Sequence, residues 1–249
     1  SEWIDDLYPE VIDVLESAGI TVLQRVSAKE TMFGLERVRQ VGGMPFVLLR
    51  AQTIAASRAN FKRFTDLVYL TLASPAVLLV LAFATLYQLV VAGRPLLFWQ
   101  TRVGVGGRTF QMVKFRTMVE RAEEDGAPQL ATPDDPRIIP ACRWVRATRL
   151  DELPQIWNVL MGDMSIIGPR PERPTFVREF KHKIPRYMLR HRVKAGITGW
   201  AQVHGWRGNT SIEKRIEYDL YYIQNWSLLL DFKIMVMTLW SGFVNPNAY

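Results

Sequence analysis

The sequence predicts a mostly helical α+β fold: a monotopic membrane protein with a proline-kinked, re-entrant helical hairpin, interfacial amphipathic helices and a small β element. Three observations predict this class. One long run has no charged residue, basic residues flank that run on both sides, and the remaining chain mixes short apolar strands with amphipathic helices. With 249 residues, 49% of them apolar, the chain can bury a core and is not disordered as a whole.

The uncharged run extends from Leu67 to Gly93. A straight helix of that length would measure about 40 Å at about 1.5 Å per residue, which is enough to span a bilayer. Ser74 and Pro75 interrupt it, because proline removes a helix hydrogen bond and bends or breaks the helix. The flanks contain Lys62 and Arg63 on one side and several arginines on the other. Positive charge marks the cytoplasmic side, so two positive flanks favour a segment that enters and returns on one face.

A spanning helix and a buried core helix remain the alternatives for this run. The hairpin interpretation divides the chain into three parts. Residues 1–57 read as the C-terminal remnant of an α/β accessory domain, residues 58–95 as the re-entrant membrane hairpin, and residues 96–249 as a cytoplasmic catalytic domain with interfacial helices. Residues 1–57 carry a net charge of −3, whereas residues 58–249 carry +10.

Periodicity predicts the remaining elements. In the first part it predicts an amphipathic helix over 3–18 and strands over 20–26 and 45–49. After the hairpin it predicts a glycine turn at 104–107, a strand over 110–115, a mobile surface loop over 120–135 and helices over 154–161, 172–183, 185–190 and 211–224. The aromatic stretch from 218 to 240 suits helices lying in a membrane interface, with ordinary core helices as the alternative.

Composition excludes several kinds of protein and site. The single cysteine, Cys142, excludes a disulfide scaffold and a cysteine-based zinc site. The three histidines never occur at the spacing of a metal-ligand pair, which argues against a zinc hydrolase. The basic second part requires an anionic partner, and nucleic acid, anionic lipid and a phosphorylated substrate all fit that requirement.

Two adjacent acids, Asp151 and Glu152, lie among arginines and shortly before Pro154. Because proline is tolerated only in the first turn of a helix, Asp151 is predicted at or near the N-cap with Glu152 in the first turn. A helix amino end attracts phosphate, and two carboxylates there can hold Mg²⁺ against a diphosphate. The alternative is that the pair only stabilises the helix as an ordinary cap.

Cations elsewhere in the chain strengthen the chemical interpretation. Arg170 stands between Pro169 and Pro171, which restrict its backbone, and Lys114 and Arg116 supply two more positive charges. Phosphoryl transfer needs little beyond positioning, charge neutralisation and a nucleophile. The combination of carboxylates, cations and a membrane segment therefore indicates a phosphorylated substrate and not nucleic acid.

A series of motifs in order closely resembles the bacterial sugar transferases, monotopic phosphoglycosyl transferases that act on polyprenyl phosphate. The resemblance covers residues 58–249, and its tail is similar to the undecaprenyl-phosphate glucose phosphotransferase branch, of which this chain looks like a truncated large form. One departure is Ala195, where the family pattern has proline. The motifs are Lys62-Arg63, Ser74-Pro75, Phe98-x-Gln100-x-Arg102-x-Gly104, Lys114-Phe115-Arg116-Thr117-Met118, Leu150-Asp151-Glu152-Leu153-Pro154-Gln155 and Gly162-Asp163-Met164-Ser165-Ile166-Ile167-Gly168-Pro169-Arg170-Pro171.

The resemblance implies a role for each matching residue. Asp151 is implied as the nucleophile and Glu152 as a metal ligand or base, with Mg²⁺ as the cofactor held by these two acids. Pro75 is implied as the bend of the hairpin. The residues implied in binding phosphate or the nucleotide sugar are Lys114, Arg116, Arg146, Arg170, Arg207 and Asp219, the last two with less defined roles.

The resemblance also implies the reaction and its place in the cell. It implies transfer of a sugar-1-phosphate, with glucose as the first candidate, from a UDP-sugar to undecaprenyl phosphate. UMP is released, and the sugar phosphate passes through a covalent phosphosugar-aspartate intermediate. This is the first membrane step in making an exopolysaccharide or another glycoconjugate. The implied location is the bacterial inner membrane, among membrane lipid, with the active site on the cytoplasmic face. Large members of the family suggest a homodimer.

Two other functions compete with this one. A metal-dependent glycosyl transferase would move the sugar without its phosphate, release UDP and usually show an Asp-x-Asp motif, and none stands out here. A non-enzymatic anchor for anionic lipid would explain the basic charge and the amphipathic tail. It would not require Asp151 and Glu152 beside Pro154, nor so many motifs in order.

Overall fold

The computed structural model describes residues 22–25, 38–41, 44–49, 56–119, 135–184, 187–208 and 210–244. The chain divides into two units, Ser1–Gln52 and Thr53–Tyr249, and the second is called the main unit below. The helix predicted over 3–18 and nearly all of the loop predicted over 120–135 lie outside the described residues.

The first unit contains a three-stranded antiparallel sheet. Its strands are β1 (Val22–Arg25), β2 (Val38–Val41) and β3 (Met44–Leu49), and β3 lies in the centre. The strands predicted over 20–26 and 45–49 are confirmed as β1 and β3. The sequence reading did not predict β2, which pairs along its whole length with β3.

The main unit begins with one long helix, α1 (Ala56–Val91), which contains Pro75. It is long and apolar enough to cross a membrane, and the rest of the protein buries almost none of its apolar stretch. Leu72, Leu79 and Val90 are 74%, 75% and 80% exposed. The buried core helix is therefore excluded. Since a proline can bend a helix without ending it, the predicted hairpin stays a prediction.

An antiparallel hairpin follows α1. It consists of β4 (Leu97–Val103) and β5 (Thr109–Phe115), joined through a 3-10 turn at Val105–Gly107. The turn and the second strand are confirmed, whereas β4 was not predicted. Successive side chains of a strand point to opposite faces, so Val113 and Phe115 share one face of β5 and Lys114 lies on the other.

Short helices make up most of the remaining main unit. They are α2 (Arg143–Ala147), α3 (Ile156–Met161), α4 (Pro174–Lys183), α5 (Trp200–Val203), α6 (Ile212–Gln224) and α7 (Leu228–Val244), with 3-10 helices at Leu150–Gln155 and Tyr187–Arg192. Helices were predicted at four of these places. Those over 172–183 and 211–224 are confirmed as α4 and α6. The segment 154–161 is 3-10 up to Gln155 and then forms α3, and the described part of 185–190, which begins at Tyr187, is 3-10.

A parallel pair of short strands, β6 (Met164–Ile167) and β7 (Ala195–Thr198), was not predicted. The backbone after β6 and the backbone of β7 pass so close to each other that only glycine fits at the crossing. A Cβ on Gly196 would lie 2.1 Å from the Gly168 nitrogen, and one on Gly199 would lie 2.2 Å from the Gly168 oxygen. This crossing fixes the backbone immediately before Pro169 and Arg170.

The main core packs around this strand pair. Ile167 of β6 contacts apolar side chains of α6 and α7, including Tyr222, Ile223 and Ile234. The opposite face of α7 is uncovered, because Leu229, Leu239 and Trp240 are all 70% or more exposed. The stretch predicted to lie in a membrane interface therefore divides: α6 supplies core residues, and α7 adds an exposed apolar face.

Buried polar contacts tie the N-terminal part of α1 to the rest of the main unit. Lys62 Nζ donates to Asp231 of α7 at 2.8 Å, and both side chains are buried. One turn later, Asp66 accepts a hydrogen bond from Ser165 Oγ of β6 at 2.7 Å. Arg63 donates to carbonyl groups at the end of α3. Lys62 and Arg63, predicted as charged flanks of the hairpin, therefore fasten the helix to the protein.

The C-terminal part of α1 is tied to a second place on the main unit. Tyr87 Oη donates to the Ala141 carbonyl at 2.8 Å and accepts from Trp144 Nε1 at 2.7 Å. The Cys142 thiol lies 3.4 Å from the side-chain oxygen of Gln88. The helix is thus attached at both ends, and its middle section lies between the two attachments.

Candidate active site

The two adjacent acids lie on a 3-10 helix and not on the first turn of an α-helix. The residue that precedes this helix is Arg149, whose φ of 61° places it in the left-handed region. Its carbonyl accepts from the Glu152 N–H at 3.0 Å. Asp151 therefore lies near the N-cap and Glu152 in the first turn, as predicted, but the N-cap itself is Arg149, because the left-handed turn there starts the helix two residues before Asp151. Pro154 lies inside the 3-10 helix, and α3 follows it.

Asp151 and Glu152 line a small polar cavity of about 140 Å³. Cationic side chains dominate its wall, and they come from β4, β5, α2, the start of the 3-10 helix, the Pro169–Pro171 segment, the loop before α6 and α6 itself. Within the described part of the chain, the charged residues that line it are Arg102, Lys114, Arg146, Arg149, Asp151, Glu152, Arg170, Glu172, Arg207 and Arg215. A cavity with more positive than negative groups attracts phosphate.

The two carboxylates of the pair have different partners. Arg170 binds Glu152 through both guanidinium nitrogens, one of them at 3.2 Å from Oε2. Burial acts to raise the pKa of Glu152, but Arg170 outweighs it and lowers that pKa below its usual value. The Asp151 carboxylate has no hydrogen bond or ion pair to any described residue. Burial, together with the neighbouring Glu152 charge, raises the pKa of Asp151.

Lys114 also lacks a fixed polar partner in this cavity. Its Nζ forms no hydrogen bond or ion pair with a described residue and lies 5.7 Å from the centre of the Phe98 ring. Burial, with a contribution from the nearby Arg102 charge, lowers the pKa of Lys114 to about 8. Because burial leaves the Lys114 ammonium group poorly solvated, a phosphate group that enters the cavity stabilises its charge.

A buried ionic cluster supports Arg170 from behind. Arg190 donates to the Arg170 carbonyl at 2.9 Å, and Arg102 donates to the Pro171 carbonyl at 3.1 Å. The next residue, Glu172, forms an ion pair with Arg215 at 2.5 Å and lies 3.9 Å from Arg190. We call Arg102, Glu172, Arg190, Arg215 and Asp219 the rear cluster. It holds the Pro169–Pro171 segment in place.

The structure brings together most of the predicted site residues but not all of them. Lys114, Arg146, Asp151, Glu152, Arg170 and Arg207 all line the cavity. Arg116 does not. It donates to backbone carbonyls at the end of α1 and the following loop, including that of Pro95 at 2.7 Å. Its predicted phosphate contact is therefore not supported, because β5 ends at Phe115 and Arg116 no longer follows the direction of Lys114.

Asp219 also lies outside the cavity wall. It is buried behind the site, where it forms an ion pair with Arg190 at 2.7 Å. Sequence reasoning missed Arg102, Arg149, Glu172 and Arg215 as site residues. Arg102 lies inside a recognised motif and Arg149 directly precedes another, so their positions were a usable signal. Nothing local in the sequence connects Glu172 with Arg215.

The carboxylates of Asp151 and Glu152 fit Mg²⁺ as a pair of protein ligands. The described residues contain no group of three or more His, Cys, Asp or Glu side chains that could hold a metal ion. Mg²⁺ commonly takes one or two carboxylates and completes its shell with water and substrate phosphates. The unengaged carboxylate of Asp151 suits that role, and Glu152 lies next to it although Arg170 already holds it.

An apolar cavity of about 780 Å³ lies on the other side of the same 3-10 helix. Its floor includes Leu153 and Pro154, which directly follow the two acids, and Val113 and Phe115, which flank Lys114. Its roof is the middle section of α1. The charged cavity and the apolar cavity therefore share a wall formed by one turn and one strand.

Comparison with known proteins identifies the family. A family model described as bacterial sugar transferase matches residues 57–245 of the chain. The chain belongs to this family. The match begins in the first turn of α1 and ends just after α7. In this bacterial sugar transferase, the matched part therefore contains the residues that line both cavities and does not contain the β1–β3 sheet. The long apolar helix and the family together make it a membrane-associated protein.

Individual relatives in the family are moderately similar. The chain is 42% identical over 217 residues to the UDP-glucose:undecaprenyl-phosphate glucose-1-phosphate transferase of Escherichia coli, covering 86% of this chain and 47% of that protein. It is 46% identical over 191 residues to the UDP-N-acetylgalactosamine-undecaprenyl-phosphate N-acetylgalactosaminephosphotransferase of Aeromonas hydrophila, covering 74% and 45%. A glucose-1-phosphate transferase of Caulobacter vibrioides is 41% identical over 192 residues, covering 76% and 72%. The chain spans about half the length of the first two.

Proposed function

We propose that this bacterial sugar transferase moves a sugar-1-phosphate from a UDP-sugar to undecaprenyl phosphate and releases UMP. The observation that carries the proposal is the Asp151 carboxylate, which faces a cation-lined cavity without a partner among the described residues. The names of the relatives support the two substrates, and those of the Escherichia coli and Caulobacter vibrioides proteins support glucose as the first sugar to test.

In the first step, the Asp151 carboxylate attacks the phosphorus that carries the sugar. A bond forms between a carboxylate oxygen and that phosphorus, and the bond to the bridging oxygen of the diphosphate breaks. UMP leaves with the electron pair, and the sugar phosphate stays on the aspartate. Lys114, Arg146 and Arg170 are placed to neutralise the phosphate oxygens as charge shifts to the leaving group.

In the second step, an oxygen of undecaprenyl phosphate attacks the same phosphorus. The bond to the Asp151 oxygen breaks, the carboxylate is regenerated and the lipid diphosphate sugar leaves. Dividing the transfer in two lets each substrate bind the same phosphate-binding groups in turn. Glu152 contributes mainly by fixing Arg170, since both guanidinium nitrogens bind it.

Mg²⁺ would be held by Asp151 and Glu152 together with the diphosphate, and it would supply charge neutralisation to the phosphate oxygens. The cations of this chain supply the remainder. Glu172, Arg190 and Arg215 keep Arg170 in position, and Arg190 does so from outside the lining of the cavity.

The geometry of α1 supports entry and return on one membrane face. Both ends of the helix contact the main unit, at Lys62 and at Tyr87, and Pro75 lies between these contacts. A spanning helix would place its two ends on opposite sides of the bilayer. The exposed apolar face of α7 would rest in the same interface. We therefore expect the charged cavity at the cytoplasmic surface of the inner membrane.

Replacing Pro75 with alanine is expected to straighten α1 and carry one end across the bilayer in part of the population, because alanine restores the missing helix hydrogen bond. One variant carries an introduced cysteine before α1, and another carries one after α1. Labelling separate cell samples with a membrane-impermeant thiol reagent then measures which end of the helix faces outward. Thr71→Ala in the same helix is the matched control. Labelling from the cytoplasmic side alone in the Pro75→Ala variant would show that proline does not determine the topology.

Product analysis tests the proposed reaction. The purified protein is incubated with undecaprenyl phosphate and, in turn, UDP-glucose, UDP-galactose and UDP-N-acetylgalactosamine, and the released nucleotide is identified by chromatography. UMP together with a lipid diphosphate sugar is the expected result. UDP release would instead identify a glycosyl transferase that moves the sugar without its phosphate, and the panel identifies the preferred sugar.

A further inference from the structure

The guanidinium of Arg116 binds the end of α1. It donates to the carbonyl of Pro95 at 2.7 Å, to that of Arg94 at 3.4 Å and to that of Ala92. The last carbonyls of a helix have no partner within the helix, and the chain that leaves it is in the same position. A planar guanidinium can bind several such carbonyls at once, which a lysine ammonium cannot do in the same geometry.

The same residue also holds the chain segment in which it lies. A further hydrogen bond joins Arg116 Nη1 to the Met118 carbonyl at 3.3 Å. On the other side, the backbone N–H of Arg116 donates to the Leu96 carbonyl at 2.8 Å. Between these two contacts lies Thr117, which is buried. Arg116 therefore fixes the backbone on both sides of Thr117 against the chain that leaves α1.

Thr117 connects this segment to the charged cavity. Its hydroxyl accepts from Arg146 Nη1 at 3.1 Å, which is the only hydrogen bond that the Arg146 guanidinium forms with a described residue. The Thr117 carbonyl accepts from the Ile139 N–H at 3.0 Å. The chain continues from Ile139 through the 3-10 helix Pro140–Cys142 into α2, which carries Arg146. Thr117 thus contacts both the Arg146 side chain and the segment that leads into its helix.

Two simpler roles for Arg116 account for less of this geometry. Contact with the phosphate is not what its position offers, because Arg116 does not line the charged cavity. Capping of α1 explains the hydrogen bonds to the carbonyls at the end of that helix. It does not explain the hydrogen bond to Met118, which lies beyond Thr117 and away from the helix in sequence.

We propose that Arg116 is a positioning residue, which sets the place of the Arg146 guanidinium in the charged cavity by fixing Thr117 against the end of α1. This inference rests on the proposed function, because Arg146 acts there on the phosphate oxygens. Displacing a reacting or charge-neutralising group by about 1 Å can cost about 100-fold in rate. Arg116 can therefore matter to the reaction without touching the substrate.

Arg116→Lys tests the inference, because it keeps the positive charge and loses the planar set of N–H groups. The protein is given the UDP-sugar preferred in the product panel, without acceptor, and UMP formation is followed in a single turnover. The rate is expected to fall by about tenfold or more. The dissociation constant of UMP is expected to change by less than about threefold, because the charge of the cavity is unchanged and Arg116 does not contact the nucleotide.

The matched control is Arg108→Lys, the same change at an exposed arginine directly before β5. It should alter neither quantity. An arginine that only capped α1 would lower the melting temperature of Arg116→Lys and leave the single-turnover rate within about twofold of the wild-type rate, which would overturn the inference. UMP binding weakened by about tenfold or more would show direct contact with the nucleotide and would overturn it too.

A double-mutant cycle tests the route through Arg146. Substitutions of residues that act through one another are not additive. In an Arg146→Met background there is no guanidinium left to position, so Arg116→Lys is expected to lower the rate further by less than about threefold. A further loss as large as in the wild-type background would contradict the route. Thr117→Val, which removes only the hydroxyl, takes the place of Arg116→Lys in both experiments if that variant does not fold.

Hydrogen exchange separates failure of the inference from failure of the proposed function. In Arg116→Lys, the amides of residues 137–147 are expected to exchange at least about threefold faster than in Arg108→Lys, because the contacts that hold this segment at Thr117 are weakened. Equal exchange in the two variants would overturn the inference. A wild-type protein that forms no UMP, while its variants show the expected difference in exchange, would instead overturn the proposed function alone.

Discussion

Replacing Asp151 with asparagine is expected to abolish sugar-phosphate transfer, with a loss of at least about 1,000-fold, because an amide cannot form the bond to phosphorus. The fold is expected to remain intact. The burial and the Glu152 charge that raise the pKa of Asp151 both penalise its ionised form in the folded protein. This penalty applies at pH values above the pKa that Asp151 has in the unfolded chain. At pH 7 to 8 the asparagine variant, which is neutral at this position, is therefore expected to unfold at the same temperature as the wild-type protein or at a higher one.

The measurements are nucleotide release, transfer of labelled sugar phosphate and the melting temperature in buffer without divalent cations. Glu217→Gln is the matched control, because Glu217 is an exposed carboxylate paired with Lys214 on α6 and lies away from both cavities. It should retain wild-type activity. Turnover near the wild-type level in Asp151→Asn would contradict the covalent role, and a lower melting temperature would contradict the electrostatic argument.

Replacing Arg190 with methionine is expected to destabilise the protein by about 3–5 kcal/mol, because buried acids lose their partner. Arg190 is almost fully buried, pairs with Asp219 at 2.7 Å and lies 3.9 Å from Glu172. For a chain of this size the loss corresponds to a fall in melting temperature of about 10 °C. Transfer is expected to fall as well, since Arg190 also holds the Arg170 carbonyl.

The effect of this substitution is expected to depend on pH. Burial raises the pKa of Asp219 to about 6 in spite of Arg190, and without the arginine that pKa rises further. When the pKa of an acid is raised in the folded protein, the folded state loses stability as the pH increases. The difference in melting temperature between the wild-type protein and Arg190→Met should therefore be larger at pH 8 than at pH 5.5. An equal difference at both pH values would contradict the ionic explanation.

Two variants serve as controls for Arg190→Met. Lys183→Met removes one positive charge from an exposed pair on α4 and should change the melting temperature by less than about 2 °C. The double variant Arg190→Met with Asp219→Leu should recover part of the lost stability, because an apolar pair replaces an unpaired buried charge. A double variant as unstable as the single one would show that packing and not charge explains the loss.

The sequence was most informative where the site is local. Asp151, Glu152 and Arg146 lie within one short segment, so their proximity needed no knowledge of the fold. Arg170 was recognisable because two prolines surround it. Arg116 was named together with Lys114 because both belong to one motif, but its guanidinium binds backbone carbonyls after α1, a contact that the motif does not reveal. Asp151 was correctly expected near the N-cap, but Arg149 was not recognised as the N-cap itself, because a left-handed arginine is not a usual start for a helix.

The sequence was least informative where contacts join distant segments. Glu172 pairs with a residue 43 positions later, and β6 pairs with a strand that begins 31 residues after its own start. Neither arrangement has a local period. The close crossing of Gly168 and Gly196 explains why these positions are glycine, but glycine in a loop is equally compatible with an ordinary turn. The rear cluster could therefore be recognised only from the structure.

The attachment of α1 at both ends has a consequence for how the protein sits in its surroundings. A helix pinned near Lys62 and again near Tyr87 cannot slide along the bilayer normal without carrying the reacting turn with it. In the proposed function, the height of Asp151 above the hydrocarbon would then be set by the protein and not by the thickness of the membrane. We expect Asp151 to lie at the same depth in thin and in thick bilayers.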